Sequence, residues 1–312
     1  MKEADVSIIG GGPAGMSAAL WCAELGLHAV LFERSTALGG QVGNIFNPIS
    51  NYLGLAAANG AELLEHFLRS IRDSKFDRIT SADVIAVDPT TMSVRLADGS
   101  AFRSKAIILA TGVRRRHLAI PGETEFRGRG MLESGARERT QVKGRRVLIV
   151  GGGDAALENA LLLSEFASEV MVAFRRSEPT ARHEFIDAAR NRDNIRLLND
   201  TVLTAISGNS RIESAEIKNV TGGGKSAEPV DAVLIRIGVE PNSELLNGKA
   251  ELDDRGYIVV DPHGATALPG IFAIGDVANP VSPTLNTAAG TGATAAKTIY
   301  CSIDACGRII HK

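Results

Sequence analysis

Apolar and polar positions along the 312 residues fall into blocks that predict a strand, a tight turn, a helix and a second strand, and the set occurs twice. Val6 to Ile9 is an apolar strand that runs into Gly10, Gly12 and Gly15. Met16 to Leu25 has helical character, and His28 to Phe32 is a second strand closed by Glu33. About 140 residues later, Arg146 to Val150 runs into Gly151, Gly153 and Ala156, followed by a helical run from Leu157 to Phe166 and a strand from Glu169 to Phe174. Between the two sets, Leu53 to Ile71 predicts a helix, and Asp83 to Phe102 predicts short strands with a hairpin turn at Asp98-Gly99. Ala106 to Gly112, A-I-I-L-A-T-G, reads as a buried strand ending in a glycine turn. Past the second set, strands are expected over Ile195 to Ser207 and Glu213 to Val220, with a Gly222-Gly223-Gly224 turn, and then over Val233 to Asn242. Gly270 to Val277 reads G-I-F-A-I-G-D-V, and Pro283 to Ala305 predicts a helix with Ser282 as its cap and Pro283 in its first turn.

Each glycine spacing is that of a dinucleotide-binding turn in its required context. In the first, G-G-G-P-A-G, Gly10 permits the turn and Gly12 lets the backbone approach a pyrophosphate. Gly15 lets helix and strand pack closely, with Pro13 and Ala14 opening the helix. Glu33 lies 23 residues after Gly10, beside Arg34, and is placed to accept from ribose hydroxyls. The same count from Gly151 gives Phe174, followed by Arg175 and Arg176. A carboxylate there repels a 2′-phosphate, whereas guanidinium forks match one. The first site therefore takes an adenosine with free ribose hydroxyls. The second, opened by Gly151, Gly153, Asp154, Ala155 and Ala156, takes NADP(H), with Arg182 as a further candidate. Two such units mean two nucleotide-binding domains, and the crossings between them are expected near 113–118 and 240–247.

Composition adds limits rather than chemistry. Apolar residues make up 44% and the net charge is −2, so nothing draws the chain as a whole toward nucleic acid. The charged Met1-Lys2-Glu3-Ala4-Asp5 leads straight into a strand, so no signal peptide is expected, and no apolar run has the length of a membrane span. Cys22, Cys301 and Cys306 are too few for a disulphide framework, which favours a reducing cytoplasm. No cluster has metal-ligand spacing. Locally, Arg114 to Arg146 holds ten Arg or Lys against four Glu. That run reads either as a docking surface for an acidic protein or as pairing between domains and to NADPH phosphate.

As a set, G-G-G-P-A-G, Gly39-Gly40-Gln41, Ala110-Thr111-Gly112, G-G-G-D-A-A, F-R-R at 174–176 and Gly275-Asp276 resemble the low-molecular-weight thioredoxin reductases and their relatives. The resemblance implies an α/β fold of two Rossmann-like, three-layer ββα domains in a homodimer. An FAD domain (1–113 and 245–312) would flank an inserted NADPH domain (114–244). It also implies that Asp276 bonds the flavin ribityl chain and that Gly40 and Gln41 line the flavin. NADPH would pass hydride to flavin N5, with a domain rotation bringing the two together. In that family a C-x-x-C pair precedes the second fingerprint; here Met131 to Arg139 reads M-L-E-S-G-A-R-E-R. The nearest precedent without the pair is a ferredoxin/flavodoxin–NADP reductase, so an acidic electron-carrier protein is the first acceptor expected. A dithiol of Cys301 and Cys306 is the alternative, as is a second site that holds a nucleotide other than NADPH. In a continuous helix the two cysteines would be about 7.5 Å apart along the axis and some 140° apart around it, against the roughly 7 Å that a bridge tolerates. A bridge thus needs the helix to end before Cys306, which Gly307 permits. Cys22 reads as a small core residue, Tyr52 as a core aromatic or a stacking partner for the isoalloxazine, His183 as a surface residue, and His311 as part of a tail that covers the flavin or does not.

Overall fold

The computed structural model describes residues 2–303. The chain opens with β1 (Lys2–Ile9), α1 (Pro13–Glu24) and β2 (Ala29–Phe32), and continues through α2 (Gly60–Ser70), β3 (Asp77–Ile79), β4 (Val84–Asp88), β5 (Ser93–Leu96) and β6 (Ala101–Leu109). It crosses along β7 (Val113–Arg115) into β8 (Met131–Leu132), α3 (Gly135–Glu138), β9 (Arg146–Val150), α4 (Asp154–Ser164), β10 (Glu169–Ala173), α5 (His183–Arg190) and β11 (Ile195–Leu198). Strands β12 (Thr201–Gly208), β13 (Ile212–Asn219), β14 (Lys225–Pro229) and β15 (Ala232–Ile235) follow. The chain returns along β16 (Val239–Pro241), which pairs with β7, and closes with β17 (Ile271–Ala273) and α6 (Leu285–Ile303). Contacts divide the chain into residues 1–114 with 240–312, and residues 115–239.

In the first unit β3, β2, β1 and β6 lie parallel in that order, and β6 has two further neighbours. Its first residues run antiparallel to β5, and Ile107 to Leu109 run parallel to β17. One face of the sheet packs Val6, Ile8, Leu31 and Ile108 against α1 and α6; the other packs Ile9, Phe32 and Leu109 with Val87 and Val94 of the β4–β5 hairpin. Those are the three layers of a ββα unit. Helix α6 crosses α1 closely enough that a Cβ on Gly292 would stand 2.4 Å from the Ala14 carbonyl oxygen. The second unit repeats the plan. Its parallel order is β11, β10, β9, β15 and β8, with α4 and α5 on one face and the antiparallel β12–β13–β14 sheet on the other.

Two helix starts differ from expectation. The helix expected from Leu53 begins only at Gly60, because Asn59 caps it: its side chain accepts from the Glu62 N–H at 3.1 Å, while Glu62 accepts from Ala58 N–H at 2.7 Å. Ahead of that cap, Ile49 and Ala57 form an isolated bridge. In α6 the cap is Thr284 rather than Ser282, and Pro283 stays outside the helix. Thr284 and Thr287 each accept, through the hydroxyl, from the other's backbone N–H at 3.2 Å, a reciprocal arrangement that proline's missing N–H cannot join.

Candidate functional site

Strand β1 delivers the first glycine loop at the C-terminal edge of its sheet. Gly10 has φ +111°, and a Cβ there would lie 2.3 Å from the Ala110 carbonyl oxygen; one on Gly15 would lie 1.9 Å from the Gly10 carbonyl oxygen. The turn is thus possible only with glycine at both positions. Helix α1 begins without a side-chain cap and without an acid in its first turn, so its N–H groups and dipole remain free for an anion. Gly40 closes over this end: a Cβ on it would reach 3.0 Å from Gly12 Cα, and Gly39 N–H donates to the Gly11 carbonyl at 2.9 Å. Ala110 forms the floor of the turn. Thr111 is turned the other way, its hydroxyl donating to the Asn242 carbonyl at 2.6 Å while Asn242 Nδ2 donates to the Thr111 carbonyl at 2.8 Å. Gly112 accepts from Asn242 N–H at 2.9 Å, and Gln41 Nε2 donates to the Val113 carbonyl at 2.8 Å.

Glu33 does more than face a ribose. It is only 7% exposed, and its two oxygens accept from Gly11 N–H at 2.7 Å and Ser35 N–H at 2.8 Å. It therefore holds the glycine loop in shape, and a carboxylate's four acceptor positions leave one on each oxygen for a sugar hydroxyl. Arg34 beside it is exposed.

Asp276 lies in the turn Gly275–Val277 that follows β17, packed by Gly275 against α1, where a Cβ would meet Ala14 Cβ at 2.8 Å. Thr291 of α6 fixes this turn by accepting from Gly275 N–H at 3.1 Å. Burial raises the Asp276 pKa from its ordinary value, and no side-chain partner is found for it among the described residues. A half-buried carboxylate without a donor, beside an uncapped helix and a close glycine contact, fits a polyhydroxyl chain ending in a pyrophosphate.

In the second unit a Cβ on Gly151 (φ +139°) would lie 2.0 Å from the Arg236 carbonyl oxygen. Ala156 takes the third place and is fully buried. Helix α4 starts at Asp154 after Gly153, with no side-chain cap on Gly153, and Ala155 sits exposed in its first turn. Arg175 and Arg176 are exposed just past β10, and neither guanidinium has an ion-pair partner among the described residues. Arg182 is bonded within the loop itself. Its backbone N–H and Nε both donate to Asp154, at 2.7 and 2.8 Å, and its other end pairs with Glu184 at 2.8 Å. These bonds pull the Asp154 pKa down, chiefly through the backbone N–H. Arg182 thus buttresses the loop. His183 is exposed at the start of α5.

Within the basic run from Arg114 to Arg146, three arginines form ion pairs among the described residues. Arg114 bridges Glu240 and Glu244, Arg137 meets Glu133, and Arg146 meets Asp231. Each of these pairs lies within one unit, and Arg116 and Arg129 bond backbone carbonyls instead. Cys22 is fully buried and its pKa is pushed up to about 12 by burial, which leaves it an inert core thiol; Cys301 is exposed. Tyr52 packs edge-on against Phe67 at 5.5 Å, as a core aromatic. Cys306 and His311 lie outside the described residues. Asn242, Thr291, Arg115 and Arg236 escaped the sequence reading. Arg236 had a signal, a lone charge in the apolar V-L-I-R-I-G strand; Asn242 and Thr291 had none, since their partners are over a hundred residues away or on another element.

Fold and site together define a class, an α/β protein with two Rossmann-like nucleotide-binding units of ββα layering. Residues 4–293 match the family model described as pyridine nucleotide-disulphide oxidoreductase, and the chain belongs to that family. It is 33% identical over 294 residues to the thioredoxin reductase of Mycolicibacterium smegmatis, covering 93% of this chain and 94% of that one. It is 32% identical over 295 residues to the bifunctional thioredoxin reductase/thioredoxin of Mycobacterium leprae, of which it spans 64%. The crystal structure of Lactococcus lactis thioredoxin reductase superposes with a TM-score of 0.83 at 33% identity, covering 95% of this chain and 98% of that chain. The chain is an FAD-containing pyridine nucleotide oxidoreductase of thioredoxin reductase-like type, and FAD and NADPH are the cofactors of that family. Among the described residues no helix is long and apolar enough to cross a membrane.

Proposed function

We propose that this protein takes electrons from NADPH and delivers them through FAD to a disulphide, with Cys301 and Cys306 as the thiols that meet it. The overall exchange, NADPH + H⁺ + R–S–S–R → NADP⁺ + 2 R–SH, balances in electrons and protons. FAD, when bound, supplies the two-electron relay between nicotinamide and acceptor. The chain's own contribution is to bind and orient. Gly10, Gly12, Pro13, Ala14, Gly15 and Gly40 would hold the pyrophosphate, Glu33 the ribose and Asp276 the ribityl chain. Gly151, Gly153, Ala155 and Ala156 would hold the NADPH pyrophosphate, and Arg175 and Arg176 its 2′-phosphate. The residues 1–113 with 245–312 and 114–244 then serve as FAD and NADPH domains, and the active form is a homodimer, as is typical of the family.

The observation that carries the disulphide acceptor is the exposure of Cys301 at the end of α6, against the complete burial of Cys22. The relatives named as thioredoxin reductases support it. The absence of a C-x-x-C pair from the sequence favours a second reading, in which an acidic electron carrier such as ferredoxin or flavodoxin is the acceptor. Anaerobic stopped-flow decides both halves. NADPH is expected to bleach the flavin, and Arg175→Ala with Arg176→Ala to raise the NADPH requirement at least about tenfold while leaving NADH unchanged, since each charge-assisted hydrogen bond is worth about 1.5–3 kcal/mol. Cys301→Ser with Cys306→Ser should leave flavin reduction intact and abolish turnover with a disulphide. Undiminished disulphide turnover refutes the dithiol, and turnover with ferredoxin in its place establishes the second reading.

A further inference from the structure

Arg115 and Arg236 both donate to one acceptor, the carbonyl oxygen of Glu133, Arg236 through Nη2 at 3.0 Å. Arg236 spends one more N–H on the Ile235 carbonyl at 2.8 Å. Each guanidinium carries five N–H groups, so most donors on both are unspent. Among the described residues no carboxylate is bonded to either. The Glu133 side chain is taken by Arg137 at 2.8 Å, and Glu138 accepts from the backbone N–H groups of Glu133 and Ser134, both at 2.8 Å, with Arg137 a further 3.7 Å contact. Burial pushes the Arg236 guanidinium down to about 10, with Arg115 repelling it and Glu138 opposing; burial likewise lowers Arg115. Arg236 is half-buried and Arg115 exposed, and two like charges held on one neutral acceptor favour an anion that joins them.

The place of the pair is informative. The Arg236 carbonyl is the atom against which Gly151 turns, so Arg236 borders the second glycine loop. Glu133 and Ser134 lead into α3, which packs on α4 so closely that a Cβ on Gly135 would lie 2.1 Å from Asn159 Oδ1. This is the stretch Met131 to Arg139, where the thioredoxin reductases were expected to hold their dithiol. We propose that Arg115 and Arg236 form an oxyanion subsite beside the second nucleotide loop, taking a phosphate or carboxylate group. Its chemistry is fork-like recognition of two or three oxygens. The anion comes either from the dinucleotide itself or from a separate anionic substrate.

The test is titration of the FAD-loaded protein with inorganic pyrophosphate, in an Arg175→Ala, Arg176→Ala background that removes the other arginine site. Adding Arg236→Met is expected to weaken pyrophosphate binding at least about tenfold, Arg115→Gln to do the same, and Arg236→Lys to restore part of it. With Arg175 and Arg176 intact, a parallel loss of NADPH affinity in Arg236→Met assigns the subsite to the dinucleotide phosphates; unchanged NADPH affinity assigns it to a separate anion. Pyrophosphate affinity within twofold of the parent in both Arg236→Met and Arg115→Gln overturns the proposal. A lowered Tm accompanied by unchanged pyrophosphate affinity would make the pair a clamp on the Glu133 carbonyl only.

Discussion

Replacing Glu33 by Gln tests whether that carboxylate builds the first glycine loop or merely awaits a ribose. Glu33 Oε2 and Oε1 each accept one backbone N–H, from Gly11 and Ser35, in a site 7% exposed. Glutamine offers one oxygen, so one N–H loses its charge-assisted bond and faces an amide NH₂ instead. Losing a hydrogen bond to a charged group, with its donor left stranded, costs up to about 3 kcal/mol, and that upper value is expected at this buried site in the absence of any cofactor. For a unit of this size that is a fall in Tm of about 6–12 °C. The assay is calorimetry of the FAD-free protein, followed by FAD titration through flavin fluorescence quenching. If Glu33 serves ribose alone, the FAD-free variant will melt with the parent and only the titration will move. A change below about 0.5 kcal/mol in the FAD-free protein, the scatter of neutral surface substitutions, refutes the structural role.

Gly15→Ala places a methyl 1.9 Å from the Gly10 carbonyl oxygen, so α1 must shift; purified protein is expected to carry little FAD and to lose about 1–3 kcal/mol by denaturant melts. Gly292→Ala, at 2.4 Å from the Ala14 carbonyl oxygen, should separate α6 from α1 at similar cost. Asp276→Asn carries a sign test. Its folded pKa is raised by burial above 3.8, so the folded FAD-free protein holds a proton that the unfolded chain has lost, and stability falls as pH rises from 3.8 through the raised value. The FAD-free Asn variant should therefore be at least as stable as the parent at neutral pH while binding FAD more weakly; a variant that binds FAD as the parent does removes Asp276 from the ribityl site. Alkylation of the native protein at pH 8 followed by peptide mass mapping should modify Cys301 and spare Cys22, whose pKa lies near 12; early labelling of Cys22 contradicts its burial.

What was legible in the sequence was local or periodic. The two glycine loops, their strands and helices, and the contrast between Glu33 and Arg175-Arg176 follow from spacing and side-chain type, because a turn that needs glycine and a strand that needs apolar residues impose their pattern on a short stretch of chain. Helix ends were less legible. Asn59 and Thr284 won over nearby candidates because their partners Glu62 and Thr287 completed reciprocal caps. Tertiary structure alone decided which charges are free. Arg182, a candidate phosphate ligand by sequence, also bonds Asp154 and Glu184, and in the Arg114–Arg146 run Arg114 and Arg146 meet acids as distant as Glu240 and Asp231. Charge is a property of a residue type, but pairing depends on distances across the fold. For the same reason the sequence set the first glycine loop's shape requirement at Gly10 and Gly15, whereas only the folded chain brought Gly40, Asp276 and Thr291 to it and turned Arg115 and Arg236 onto one carbonyl.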